Sequence, residues 1–84
     1  AYIVSHDLRA PLVNVMGFTT ELKTSLESLQ AVVNDPIVDS LPVAAEARTA
    51  ADKDVPEAIS FIQASTKKMD SLIILFDVHQ NNAT

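Results

Sequence analysis

Residues 8–33 read LRAPLVNVMGFTTELKTSLESLQAVV, and the spacing of their apolar positions decides the fold. Leu8, Leu12, Val15, Leu22, Leu26, Leu29 and Val33, with Thr19 counted in register, are separated by steps of 4-3-4-3-4-3-4. An unbroken alternation of this kind is a heptad stripe along one face of a helix. Residues 59–76 carry a second stripe, in which Ile59, Ile62, Met69, Ile73 and Phe76, with Thr66 in register, step by 3-4-3-4-3. A strand would show a period of two, so both segments are expected to be helices. At about 1.5 Å per residue, the first would run on the order of 50 Å.

Helix 1 is expected over about residues 1–34, because Pro36 disfavours helical backbone at Asp35. Its stripe is already in register at the start of the chain, which leads to the expectation that it continues upstream. Helix 2 is expected over about residues 55–80. Asp54 is a good N-cap, Pro56 fits a first turn where its missing N–H costs nothing, and Glu57 completes an Asp-x-x-Glu capping box. Ser40-Leu41-Pro42 repeats the arrangement one segment earlier and predicts a short helix over about residues 43–51. A structureless stretch over 35–54 would be unusually long inside a compact domain. The expectation is an all-α single domain over 1–84, an antiparallel two-helix hairpin with a short helix in its bend.

Composition narrows what such a domain can do. The chain has 84 residues, no cysteine, one glycine and four prolines, and is 48% hydrophobic. Disulfides and cysteine-based zinc sites are excluded, and a sheet-rich or disordered chain does not fit. A formal charge of −5 and six Lys and Arg offer few partners for phosphates, so nucleic acid is not an expected partner. No apolar run reaches the roughly 18 residues a membrane span requires, so direct membrane insertion is not expected. There is no Gly-rich loop to hold ATP, and no cofactor is expected on the chain itself.

A two-helix hairpin is a poor monomer, because each helix shows more apolar surface than one partner can cover. Met16 and Phe18 flank the stripe on helix 1, and Phe61, Leu72 and Leu75 flank it on helix 2. Two hairpins pairing into a four-helix bundle would bury stripes and flanks together, which makes a homodimer the physical expectation. An amphipathic hairpin packed on other domains of a larger chain is the other solution for the same face.

Residues 5–12, Ser5-His6-Asp7-Leu8-Arg9-Ala10-Pro11-Leu12, carry the chemistry. At 100° per residue His6 lies about 200° around the helix from Leu8, outside the apolar seam. The line from His6 passes through Ala10, Val13 and Gly17, mostly small residues that leave room for a partner to approach the ring. An imidazole next to a carboxylate has a nucleophilic nitrogen near neutral pH and an acceptor for its other proton. Pro11 has two readings. Inside the helix it removes the hydrogen bond to the carbonyl of Asp7 and loosens the turn that carries His6, at a cost of about 3 kcal/mol. Alternatively the helix begins at Pro11, with Ser5-His6-Asp7 as a polar lead-in, although Ala10 would then be a poor N-cap.

The same eight residues resemble the H-box of sensor histidine kinases, the phosphoacceptor motif of their dimerisation and histidine-phosphotransfer domain. Lys68-Met69-Asp70-Ser71-Leu72-Ile73 resembles the ending of helix 2 in that family, and Asp54-Val55-Pro56-Glu57-Ala58 the entry to helix 2 in members with a long bend. The resemblance covers roughly residues 3–73. It implies that His6 is the phosphoacceptor, that Asp7 holds the Nδ1 proton and orients the ring, that Arg9 is a charge partner and that Pro11 is the motif's kink. It implies a cytoplasmic, homodimeric domain. A separate catalytic domain would supply ATP and Mg²⁺, and a response regulator receiver domain would dock over Ala10, Val13, Asn14 and Gly17.

Two departures from the family stand out. Many members carry Thr or Asn at position 10, to position the water that dephosphorylates the receiver; here Ala10 has no hydrogen-bonding side chain. After Ile73 the sequence drifts from the usual Leu-rich ending. His79 near the end of helix 2 is best read as a solvated residue at a helix C-terminus rather than a metal ligand, because no HExxH-type spacing accompanies it. Lys67 and Lys68 read as a solvated face. The alternative function is a non-catalytic structural dimerisation bundle of a degenerate kinase.

Overall fold

The structure is a computed structural model that describes the backbone of residues 5–82 and the side chains of residues 7–75. Two long helices, α1 (Ser5–Val33) and α3 (Val55–Asn82), account for most of it, and no strand occurs among the described residues. Between them lie a 3-10 segment (Pro36–Ser40), a short helix α2 (Ala44–Thr49) and a π-helical segment (Ala50–Asp54). Helix α1 runs from Ser5 straight through Pro11, so the start of the helix at Pro11 is ruled out.

The two long helices lie side by side, and residue numbers rise along one as they fall along the other. Asn34 meets Asp52, and Gln30 meets Ala51. Leu26 packs with Ala51 and Ile59, supported by Val33 and Val55. Farther along, Met16 and Thr20 face Gln63, Thr66, Lys67 and Asp70 across a groove. The molecule measures 66 × 19 × 15 Å, close to two helix diameters wide and little more than one thick.

That thinness has a direct effect on the heptad stripe. Alternate stripe positions of α1 turn inward: Leu12, Thr19 and Leu26 are 5–6% exposed and Val33 is half-buried, while Leu8, Val15, Leu22 and Leu29 are 44–59% exposed. Helix α3 does the same, with Ile59, Thr66 and Ile73 at 3–7% against Ile62 at 39% and Met69 at 51%. One row of each seam is therefore covered within the chain and the other is open. The two threonines belong to the covered rows, because each hydroxyl is satisfied inside its own helix. Thr19 Oγ1 donates to the Val15 carbonyl at 2.6 Å and Thr66 Oγ1 to the Ile62 carbonyl at 2.9 Å, so burial strands no donor.

Helix α1 ends where Pro36 requires it to. The Asn34 side chain turns back to the Gln30 carbonyl at 2.8 Å, and Asp35, in extended conformation, caps the 3-10 segment by accepting from the Ile37 N–H at 2.9 Å. Arg48 then ties the bend together. Its Nε donates to the Val33 carbonyl at 2.7 Å, its Nη2 to the Asp35 carbonyl at 3.4 Å, and the guanidinium pairs with Asp39. A fork of fixed donors is suited to collecting the orphan carbonyls of a helix end.

The two expected helix starts differ from the structure. Ser40 does not cap α2; it closes the 3-10 segment, and Val43 precedes α2 without a side-chain cap. Asp54 does not cap α3 either. It lies inside the π segment, flanked by helical backbone at Thr49 and Val55, so the helix is continuous from Ala44 to Asn82. The physical reason lies in the buried positions. Ala44, Ala51, Ile59, Thr66 and Ile73 are spaced 7, 8, 7 and 7, and the π turn takes up the extra residue so that all five keep facing inward.

Replacing Arg48 with alanine leaves the Val33 carbonyl without its side-chain donor and is expected to destabilise the fold by about 1–3 kcal/mol in urea unfolding. Arg48→Lys, which cannot span the same acceptors, should recover less than half of that. A destabilisation under about 0.5 kcal/mol for Arg48→Ala would show that the bend holds without the clamp.

Candidate functional site

The Ser5–Leu12 segment forms the opening turns of α1. Leu12 anchors it, since this residue and Ile73 are the outermost buried positions toward this end among the described side chains. Around Leu12 the segment is open: Asp7, Leu8, Ala10 and Pro11 are exposed and Arg9 is half-buried. His6 has its backbone in the helix, and its side chain lies outside the described residues, as does that of His79. The helical backbone through Ser5-His6-Asp7 sets the 100° spacing that puts position 6 off the seam containing Leu8 and Leu12. Pro11 has no N–H for the Asp7 carbonyl, so this turn lacks one of its ladder bonds.

Of the four residues expected to form a docking face, three are gathered by the structure. Val13, Asn14 and Gly17 line a shallow groove together with Phe18 and Glu21, all on α1. Ala10 is exposed one turn closer to His6 and does not line that groove. In the sequence pattern Phe18 flanks the seam. In the structure it is 70% exposed and forms one wall of this groove, which follows from its position four residues beyond Asn14. Glu21 had no signal beyond its i+4 relation to Gly17.

A second groove lies between the long helices, where the sequence pattern gives no sign of one. Met16 and Thr20 form one bank, and Gln63, Thr66, Lys67 and Asp70 the other. Lys67, read from sequence as part of a solvated face, lines it. Its other end continues toward Lys23, Glu27 and Gln30 opposite Pro56, Ser60 and Gln63. Both stretches lie on the side of α1 and α3 away from the open seam row, at about +40 to +100° from the buried row against −40 to −60° for the open one.

Among the described residues, no three His, Cys, Asp or Glu side chains are gathered closely enough to hold a metal ion. Among them also, no helix is long and apolar enough to cross a membrane. Comparisons with known protein families, with curated proteins and with solved structures find no match to this chain.

Gly17 is the chain's one glycine, and nothing within 4 Å would meet a Cβ placed on it. The fold itself therefore gives no steric reason for glycine in the middle of α1, where it costs about 0.5–1 kcal/mol relative to alanine. Gly17→Ala is expected to raise stability by about that amount in thermal unfolding. A loss of stability would reveal a packing constraint at this position.

Proposed function

We propose that the chain is the dimerisation and phosphoacceptor domain of a sensor histidine kinase, with His6 as the residue that carries the phosphoryl group. The observation that carries this reading is the octet Ser5-His6-Asp7-Leu8-Arg9-Ala10-Pro11-Leu12, in helical backbone that runs through its proline. A helix interior tolerates proline only at a cost of about 3 kcal/mol, and loosening the turn that presents a reactive histidine is a reason to retain it. The chemistry follows from imidazole. With its Nδ1 proton held by Asp7, the Nε2 lone pair attacks the γ-phosphorus of ATP, the bond from phosphorus to the bridging oxygen breaks, and ADP leaves. A receiver-domain aspartate then attacks the same phosphorus, the P–N bond breaks, and the imidazole returns to its starting state.

ATP and Mg²⁺ belong to a separate catalytic domain in this reading, which places the reaction in the cytoplasm, where ATP is. This chain's part is positioning, which for phosphoryl transfer is a large share of catalysis. The receiver docks beside His6 over Ala10, Val13, Asn14 and Gly17, extended by Phe18 and Glu21 along the same groove. Ala10 supplies no group to orient a water, so dephosphorylation of the receiver by that route is not expected.

The homodimer belongs to the same proposal. An antiparallel hairpin covers one row of each seam, and the open rows, Leu8, Val15, Leu22 and Leu29 on α1 with Ile62 and Met69 on α3, suit a second copy that completes a four-helix bundle. A purely structural bundle would share this face, so phosphorylation separates the two readings.

Incubation with the parent kinase's catalytic domain and labelled ATP is expected to place acid-labile, alkali-stable label on the wild-type chain and none on His6→Gln, with both dimeric. No label on a folded wild-type dimer, with the catalytic domain shown to bind ATP, would favour the structural bundle. Leu22→Glu, which puts a charge in the open row, is expected to weaken dimerisation by about 3 kcal/mol, roughly a hundredfold, in sedimentation equilibrium. Unchanged association would remove the seam from the interface.

A further inference from the structure

The π segment leaves one buried carbonyl without a backbone donor, and the structure supplies that donor from the other helix. The Val55 N–H reaches back five residues to the Ala50 carbonyl, so it does not serve Ala51 as it would in an α-helix. In this register the next amide for Ala51 is that of residue 56, a proline with no N–H. Ala51 is buried, and water is a poor substitute at such a position. Gln30 of α1 fills the gap: its Nε2 donates to the Ala51 carbonyl at 2.9 Å, partly buried. One turn later Asn34 Nδ2 reaches both carboxylate oxygens of Asp52, at 3.2 and 3.0 Å.

We infer that Gln30 is the substitute donor for Pro56, and that this bond makes the π segment a latch whose register reports the position of α1 against α3. A second register is available. If α1 carries Gln30 away, the Val55 N–H returns to the Ala51 carbonyl in ordinary α geometry. The carbonyl left without a donor is then that of Asp52, an exposed residue where water can take the bond. Removing one residue from the π turn rotates the helix on its N-terminal side, α2 with the buried Ala44, by about 100° relative to α3. A displacement of α1 is thereby converted into a turn of the bend. This inference does not depend on the phosphoacceptor reading.

A double-mutant cycle on the 84-residue chain tests it, with urea unfolding at one fixed protein concentration. In the wild-type background, Gln30→Ala is expected to lower the folded-to-unfolded ratio about tenfold. In the Pro56→Ala background, where residue 56 has an N–H, the same change is expected to cost about twofold or less. Equal costs in the two backgrounds would overturn the assignment. Should Gln30→Ala fail to fold, a folded Gln30→Ala/Pro56→Ala chain supports the latch and an unfolded one overturns it. Backbone chemical shifts report the register itself. Residues 50–55 are expected to move to α-helical values in Gln30→Ala while residues 59–73 stay in place, and unmoved shifts at 50–55 would overturn the second register.

Discussion

Two helices lying side by side can cover only one row of a two-row heptad seam, and the rest of this molecule follows from that limit. Leu12, Thr19 and Leu26 go inward with Ile59, Thr66 and Ile73, while Leu22, Leu29 and Met69 stay open although their hydrophobicity is no lower. The core is therefore a single file of side chains, too thin to exclude water from both flanks. Stability within the chain has to be supplemented at the closed end. There the cross-links are polar and specific: Gln30 to Ala51, Asn34 to Asp52, and Arg48 to Val33, Asp35 and Asp39.

Much of this architecture is legible in the sequence, because heptad spacing is a global signal. The steps of 4 and 3 give both long helices, and they assign Thr19 and Thr66 to the seam despite their hydroxyls. The bend is less legible, for two physical reasons. Asp54, Pro56 and Glu57 form a good helix start in isolation, and that local signal hid a continuous pattern. Ala44, Ala51, Ile59, Thr66 and Ile73 carry one seam from α2 into α3 with a single extra residue, which a π turn absorbs. The order Asp35-Pro36 is itself a cap followed by a first-turn proline, and it starts the 3-10 segment. Arg48 left no sequence signal, because its acceptors are main-chain carbonyls, which every residue has.

The candidate site shows the opposite balance. Its identity comes from residue types in a short motif, Ser5 to Leu12, and periodicity alone would have passed over His6. Periodicity does say where these residues sit: the helical phase that buries Leu12 also leaves Ala10 and Pro11 outside. Phe18 could not be placed from sequence, since a flanking aromatic serves an interface or a groove equally well. In the structure it stands with Val13, Asn14, Gly17 and Glu21 along one shallow groove.

The satisfied hydroxyls of Thr19 and Thr66 have a mechanical consequence. Each bonds only within its own helix, as do Thr20 and Thr24, so from Leu12 to Leu29 no side-chain hydrogen bond of α1 crosses to α3. Apolar contacts resist separation but slide with little resistance. Beyond this stretch, toward the bend, the attachments are polar and directional, through Gln30, Asn34 and Arg48. Over the length of residues 12–29 the two helices can therefore shift against each other without breaking a side-chain hydrogen bond.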